Sequence, residues 1–147
     1  MKQDQAKPFK ETRTHHLSEL AEDYVEIIYD LILEKSEARV KDIAESLGVS
    51  HVTVIRTLSR LKAKGYIYTQ KHMPITLSDE GIALAKQCKE RHTFLLGYLK
   101  ALGVPEHVAQ IDVEGMEHHI SPQTMQCFKN HLKALEGNSG FLSFKSL

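Results

Sequence analysis

The chain has 147 residues, enough for one domain or for two small domains that share a core. Hydrophobic residues make up 41% of the sequence, but no apolar run is long enough for a membrane span or placed like a signal peptide. We therefore expect a cytoplasmic protein without a membrane partner. The two cysteines, Cys88 and Cys127, lack CxxC spacing, so we expect reduced thiols rather than a disulfide.

The formal net charge is zero, with 19 basic and 19 acidic residues, yet the charges are segregated along the chain. Residues 17–34 contain six acids and residues 106–121 contain four, and neither stretch contains Lys or Arg. Residues 39–72 contain seven bases against two acids, a net charge of +5. The basic stretch predicts a polyanionic partner, and the two acidic stretches predict cations.

Residues 1–14 are polar, contain Pro8 and lack periodicity, so we predict a flexible arm. A helix is predicted over residues 15–34, because apolar residues recur at helical spacing and form a core stripe at Leu20, Tyr24, Ile27, Ile28 and Leu31. Asp23 and Glu26 lie along the edge of that stripe. On this pattern alone, both are surface acids.

Two short helices separated by a glycine turn follow, over residues 40–47 and 50–64, with Gly48 in the turn and Ser50 as the N-cap. The predicted buried face of the second helix consists of Val54, Ile55, Leu58 and Leu61. The opposite face carries Val52, Thr53, Arg56, Arg60 and Lys64, with Thr57 at its margin. This pattern is typical of a helix-turn-helix. A solvated αα-hairpin is the alternative, but the regional charge of +5 favours DNA binding.

Residues 66–71 alternate aromatic or β-branched residues with polar ones, and residues 75–77 return after a turn, which predicts a β-hairpin. A hairpin directly after the helix-turn-helix indicates a winged helix. Lys71 at its tip is predicted to approach DNA phosphates. The candidate DNA-contacting residues are therefore Ser50, Val52, Thr53, Arg56, Thr57, Arg60, Lys64 and Lys71.

A long helix is predicted over residues 78–101, with His92 midway along it. A lone His in a helix is usually structural or solvated, so its candidacy as a ligand depends on other residues. Further on, Glu114, Glu117 and His118 stand at i, i+3 and i+4, a spacing that places them on one face of a helix. Such oxygen and nitrogen donors suit Mn, Fe, Co or Zn, and the alternative is a solvated acidic face beside a surface His.

Ser121 and Pro122 start a last helix, whose apolar residues form a narrow seam at Met125, Phe128, Leu132 and Leu135. Such a seam suits a helix partner, either the chain's own core or a second subunit. The residues after Gly137 are predicted to form a tail without an assigned role.

Four fragments resemble the diphtheria-toxin-repressor family of metal-dependent repressors: EDYVEIIY at 22–29, ARVKDIA at 38–44, RH at 91–92 and DVEGMEHH at 112–119. The resemblance covers roughly residues 15–135. It implies a homodimer and a mainly α fold with a small β-hairpin, in which an N-terminal winged helix-turn-helix precedes a helical dimerisation domain. The implied domains are the DNA-binding domain (15–78) and the metal-binding and dimerisation domain (79–136), while the flexible arm (1–14) and the tail (137–147) depart from the family pattern.

The resemblance also implies metal ligands on three separate elements. Matched position by position, they are Asp23, Glu26, His92, Glu114, Glu117 and His118. The iron-sensing branch of the family has Met where Asp23 stands, Cys where Glu114 stands, and a C-terminal SH3-like domain for which this sequence is too short, so the manganese branch is expected. Two divalent ions would neutralise the four carboxylates of this set, so we expect two Mn²⁺ per subunit, with Fe²⁺, Co²⁺ or Zn²⁺ as alternatives.

The function implied is that of a Mn(II)-responsive repressor, which binds pseudo-palindromic operator DNA as a metal-loaded homodimer and controls manganese uptake genes. A repressor of the same family that responds to iron or another divalent metal is one alternative. A regulator whose acidic cluster is only structural would bind DNA without metal. A metal-dependent hydrolase is less favoured, because residues 114–118 read Glu-x-x-Glu-His rather than His-x-x-Glu-His, and the Glu-x-x-His motif of di-iron bundles is absent from the sequence.

Overall fold

The computed structural model describes the backbone of residues 7–137 and the side chains of residues 16–137. This part of the chain is mainly helical with one small antiparallel hairpin, as predicted. Its elements are α1 (Lys7–Lys35), α2 (Val40–Leu47), α3 (His51–Ala63), β1 (Ile67–Tyr68), β2 (Thr76–Leu77), α4 (Asp79–Ala101), α5 (Glu106–Met116) and α6 (Pro122–Gly137). They form two compact units, which divide within α4 between Lys89 and Glu90. Over the described range, no helix is both long and apolar enough to cross a membrane.

Helix α1 is longer than the sequence predicts. It begins at Lys7 rather than at residue 15, so residues 7–14 of the predicted arm are helical, while residues 1–6 lie outside the described part of the chain. Pro8 falls in the first turn, where a backbone N–H has no helical partner, so this proline is compatible with a helix start. The predicted core stripe is confirmed, because its members are buried or partly buried in the first unit.

The helix-turn-helix forms around the two predicted signals. Gly48 adopts a left-handed conformation with φ of 66°, and its N–H donates to the carbonyl of Ala44, which ends α2. The Ser50 side chain accepts a hydrogen bond from the Thr53 N–H at 3.2 Å and so starts α3. The two helices then pack through the buried residues Ile43, Val54, Leu58 and Leu61.

The prediction of the buried face of α3 is wrong for one residue. Ile55 is 56% exposed, whereas Val54 is fully buried. At about 100° per residue, Ile55 lies a quarter turn away from the line through the three other apolar residues of that face. It instead lines a cavity between α3 and the hairpin, beside Lys62 and Lys71.

The hairpin after α3 is confirmed, but its strands are shorter than predicted. Only two residues of each strand pair, with Ile67 opposite Leu77 and Tyr68 opposite Thr76. Ile75, just before β2, pairs with Ala38 in the segment before α2. The tip then turns through His72, whose φ of 65° lies outside the strand region.

Ser78 joins the hairpin to α4. Its buried hydroxyl donates to the carbonyl of Gly65 at 2.6 Å and accepts from the N–H of Gly81 at 3.1 Å, so it caps the start of α4. Its own N–H donates to the carbonyl of Tyr66 at 2.9 Å. These bonds attach the start of α4 to the winged helix, so the compact units divide inside this helix, after the predicted domain boundary at residue 78.

We expect Gly81→Ala to destabilise the protein by roughly 1–3 kcal/mol, because a Cβ at residue 81 would collide with the carbonyl of Tyr66. That carbonyl is held by the N–H of Ser78. Gly97 also lies in α4, and a Cβ there meets nothing within 4 Å, so Gly97→Ala should stabilise by about 1 kcal/mol through helix propensity. Thermal denaturation of both variants measures the difference, and equal melting temperatures would contradict the close approach.

The second compact unit contains the end of α4 together with α5 and α6. Its buried core takes one residue from each helix, namely Leu95, Val113 and Met125. Tyr98 shares a hydrogen bond with Nδ1 of His131 at 2.8 Å, and its ring stacks on Phe128 with 4.8 Å between ring centroids. The first half of the apolar seam on α6 therefore packs against the chain's own core, and Leu132 and Leu135 are half-buried.

Candidate metal centre and DNA-binding surface

A buried carboxylate lies between two imidazoles in the second compact unit. The Oε2 atom of Glu117 lies 2.9 Å from Nδ1 of His92, and its Oε1 atom lies 3.4 Å from Nε2 of His118. The side chains of Glu117 and His118 are only 3% and 2% exposed. Three of the six predicted ligands are therefore brought together, although His92 and Glu117 are distant in the sequence.

Helix α5 ends just before this carboxylate. Met116 is its last residue, and Glu117 keeps a helical conformation while its N–H donates to the carbonyl of Val113 at 3.1 Å. His118 already lies in the turn that follows. Glu114, one turn earlier, is exposed. The predicted common face of the three residues is thus only partly realised, because two of them are buried and the third faces solvent.

The donor atoms of this cluster suit a divalent metal ion. Burial of a carboxylate costs free energy unless a cation or hydrogen-bond donors compensate. Here two imidazole nitrogens face the two oxygens of Glu117, and the protonation of each ring decides which atom donates. Metal binding requires an ionised carboxylate and neutral imidazoles, both of which these groups can supply. Such a donor set suits Mn²⁺, Fe²⁺, Co²⁺ or Zn²⁺.

The other two predicted ligands, Asp23 and Glu26, belong to the first compact unit. Both lie on α1 and are half-buried. Asp30, one turn further along, forms an ion pair with Lys89 of α4. The hydrogen bond from Lys89 to Asp30, aided by the charges of Asp30 and Glu26, raises the pKa of Lys89. The pair was not predicted, because its residues are far apart in the chain and meet only when α1 packs on α4.

The residues predicted to contact DNA are accessible on the first compact unit. Thr57 is half-buried, and the exposed ones are Ser50, Val52, Thr53, Arg56, Arg60, Lys64 and Lys71. The hydroxyls of Ser50 and Thr53 lie 3.0 Å apart, and the Thr57 hydroxyl donates to the carbonyl of Thr53 at 3.0 Å. These hydroxyls therefore already bond within α3, whereas the arginines and lysines present its positive charge.

Further basic residues surround the cavity between α3 and the hairpin. Arg39, Lys41 and Lys62 line it together with Lys71. The first three were not among the predicted DNA contacts, although they contribute to the regional charge that suggested DNA binding. Arg39 is held in place by Glu37, whose Oε1 atom accepts a hydrogen bond from its Nε at 2.9 Å. The basic surface is thus broader than the outer face of α3.

A winged helix-turn-helix followed by a helical unit with a carboxylate–imidazole cluster defines a metal-dependent DNA-binding regulator. The chain belongs to the iron-dependent repressor family: residues 16–73 match its N-terminal DNA-binding domain, and residues 78–139 match its metal-binding and dimerisation domain. The family domain boundary falls near the start of α4, whereas the compact units divide further along that helix.

Curated relatives include transcriptional regulators named MntR. The protein from Salmonella typhimurium is 44% identical over 120 residues, which cover 82% of this chain and 76% of the relative. The HTH-type regulator MntR of Lysinibacillus sphaericus is 38% identical over 117 residues, covering 80% of this chain and 84% of the relative. Because these relatives are transcriptional regulators, they support the repressor interpretation and not the hydrolase.

Solved structures agree with the fold. A manganese-dependent transcriptional repressor in complex with manganese matches with a TM-score of 0.67 and 28% identity, over 77% of this chain and 52% of that chain. The metal-dependent transcriptional regulator MtsR matches with a TM-score of 0.68 and 26% identity, over 77% and 53%. The chain therefore spans about half the length of these solved structures.

Proposed function

We propose that this protein is a Mn(II)-responsive transcriptional repressor. The observation that carries the proposal is the Glu117 carboxylate between His92 and His118, in a chain whose other unit is a winged helix-turn-helix. The relatives named as manganese-dependent regulators support manganese as the activating metal. Acting in the cytoplasm, the repressor would control genes for manganese uptake and homeostasis.

The proposed metal ligands are His92, Glu117 and His118, completed by Glu114 and by Asp23 and Glu26 of α1. Glu117 presents one carboxylate oxygen to each of two imidazoles, so these three side chains would together hold divalent metal. Two divalent ions per subunit would balance the four carboxylates of this set. We therefore propose a binuclear Mn²⁺ centre in each subunit.

Manganese specificity cannot come from affinity alone, because Mn²⁺ is the weakest binder in the order of divalent first-row metals. The proposed set contains carboxylates and imidazoles but no thiolate or thioether. Hard oxygen donors reduce the advantage that sulfur ligands would give to Zn²⁺ or Co²⁺. Coordination geometry and the availability of manganese in the cell would supply the remaining selectivity.

The proposed partner is double-stranded operator DNA, bound by a homodimer. Arg56 and Arg60 on the exposed side of α3 are suited to base edges in the major groove, and Lys71 at the hairpin tip is suited to phosphates. A two-fold symmetric dimer binds half-sites about 34–36 Å apart or a multiple of that distance. We therefore propose that the operator is pseudo-palindromic.

Metal and DNA would be thermodynamically coupled ligands. The proposed ligand set draws on α1, which belongs to the DNA-binding unit, and on residues of the second unit. Without metal, repulsion among the acids disfavours their approach, and with metal this repulsion is relieved. Each ligand should then tighten the binding of the other by the same factor.

We expect Mn²⁺ to increase operator affinity by about 5- to 150-fold, the usual range for coupled ligands. Binding sites would first be selected from a random double-stranded DNA library with Mn²⁺-loaded protein, and should be pseudo-palindromic. Mobility shifts would then compare chelated protein with protein given Mn²⁺, Fe²⁺, Co²⁺, Zn²⁺ or Mg²⁺. Equal affinity without metal would favour a regulator with a purely structural cluster. Activation by Fe²⁺ but not Mn²⁺ would favour the iron-responsive alternative.

A further inference from the structure

Lys89 places a positive charge beside the acidic residues of α1. Its ammonium group contacts the carboxylate of Asp30, and both side chains are partly exposed, at 37% and 38%. Asp30 follows Glu26 by four residues on α1, so the two carboxylates occupy neighbouring turns of one helix face. Lys89 therefore pairs with a carboxylate that lies one helical turn from a proposed metal ligand.

Stability of the fold is a weak explanation for this pair. Partly exposed ion pairs contribute little to folding, because solvent screens the attraction and ordering two long side chains costs entropy. Glu26 nevertheless lies one turn from Asp30 on the same helix face, so its carboxylate is within electrostatic range of the ammonium group, and its charge helps to raise the pKa of Lys89. A divalent ion bound by Glu26 would lie within a similar range and would be repelled by the same charge.

We propose that Lys89 is an internal counter-ion that sets the metal concentration at which the repressor responds. In the metal-free protein it offsets repulsion among the acids of α1. In the metal-loaded protein it opposes the bound cations, so it favours the metal-free state. This inference rests on the proposed function, and it gives Lys89 an electrostatic role in metal affinity although the residue itself binds no metal.

A counter-ion of this kind has a distinctive signature. The electric field of Lys89 acts on the charge of a bound ion, whatever ligands that ion prefers. Lys89 should therefore lower the affinities for Mn²⁺ and Co²⁺ by similar factors. Its effect should also shrink as salt rises, because a partly exposed charge is screened by counter-ions. A residue that only braces α1 against α4 would instead favour metal binding by ordering the ligands.

The test compares three variants of the full-length protein with the wild type. Lys89→Met removes the charge but keeps an unbranched helix-forming side chain. Lys89→Arg retains the charge and should rescue the wild-type behaviour. Asp30→Asn removes the partner carboxylate and leaves Lys89 in place. Calorimetric titration with Mn²⁺ and Co²⁺ at low and high salt measures affinity, and thermal denaturation of the chelated proteins measures their stability.

We expect Lys89→Met to bind both metals about 3- to 10-fold more tightly at low salt, with a smaller gain at high salt. Asp30→Asn should bind both metals more weakly, since Lys89 then acts without its partner. Unchanged or weaker binding by a folded Lys89→Met variant would overturn the proposal, as would a gain for one metal only. If the wild type itself bound no Mn²⁺, the proposed function and this inference would both fall.

Discussion

Glu117→Gln is expected to abolish the response of operator binding to Mn²⁺. The substitution keeps the size of the side chain but removes the negative charge from a buried group that faces His92 and His118. Loss of residues that merely support metal ligands costs about 10- to 100-fold in affinity, so loss of this proposed ligand should cost about 100-fold or more. Titration with Mn²⁺, followed by a mobility shift on the selected operator, would measure both effects.

Asp112→Asn is the matched control for this experiment. It removes the same charge from an exposed carboxylate on α5, five residues before Glu117 in the chain, and should leave the Mn²⁺ affinity within about twofold of the wild type. Circular dichroism would verify that both variants remain folded. Retention of wild-type Mn²⁺ affinity by a folded Glu117→Gln protein would remove Glu117 from the ligand set.

Arg56→Ala is expected to weaken operator binding by about 10- to 100-fold, which corresponds to roughly 1–3 kcal/mol for a bidentate contact to guanine. Arg56 is exposed on α3, so its removal should not disturb the core around Val54 and Leu58. Affinity for Mn²⁺ should stay unchanged in the absence of DNA. Mobility shifts on operator and on unrelated DNA would measure how far the discrimination between them falls.

Lys133→Ala provides the comparison, since Lys133 is an exposed base on α6 in the other compact unit. Removing it changes the net charge by the same amount and should affect operator binding little. The salt dependence of operator binding distinguishes a phosphate contact of Arg56 from a base contact. A phosphate contact would weaken binding to all sequences and reduce the salt slope by about one, whereas a base contact would relax specificity. Wild-type operator affinity in Arg56→Ala would contradict the proposed docking of α3.

Local signals predicted the helix-turn-helix almost completely. Gly48 and Ser50 end one helix and start the next through bonds within a few residues, so the sequence alone predicts the turn. Ile55 was misassigned because it is apolar, although at about 100° per residue it lies a quarter turn away from the other three residues of that face. The strands were overestimated, since only two residues of each strand pair, and the sequence did not predict the pairing of Ile75 with Ala38, a residue far from it in the chain.

For the carboxylate–imidazole cluster too, the sequence predicted the local pattern, whereas the contacts between distant residues came only from the fold. The spacing of Glu114, Glu117 and His118 predicted donors for a metal on a short stretch, and the family resemblance added His92. Only the packing of α4 and α5 brings His92 to Glu117, and only the end of α5 at Met116 distinguishes the buried Glu117 from the exposed Glu114. Helical spacing gives the direction of a side chain but not what covers it.

The order of the helices, the glycine turn, the basic stretch and the chemical type of the proposed metal donors could all be predicted from the sequence. These properties depend on backbone preferences and on the charges and side-chain types of residues close in the chain. The burial of Glu117 and the pairing of Lys89 with Asp30 depended on the tertiary structure. The reason is that burial and ion pairing depend on which segments, far apart in the chain, come into contact. A single sequence does not show those contacts.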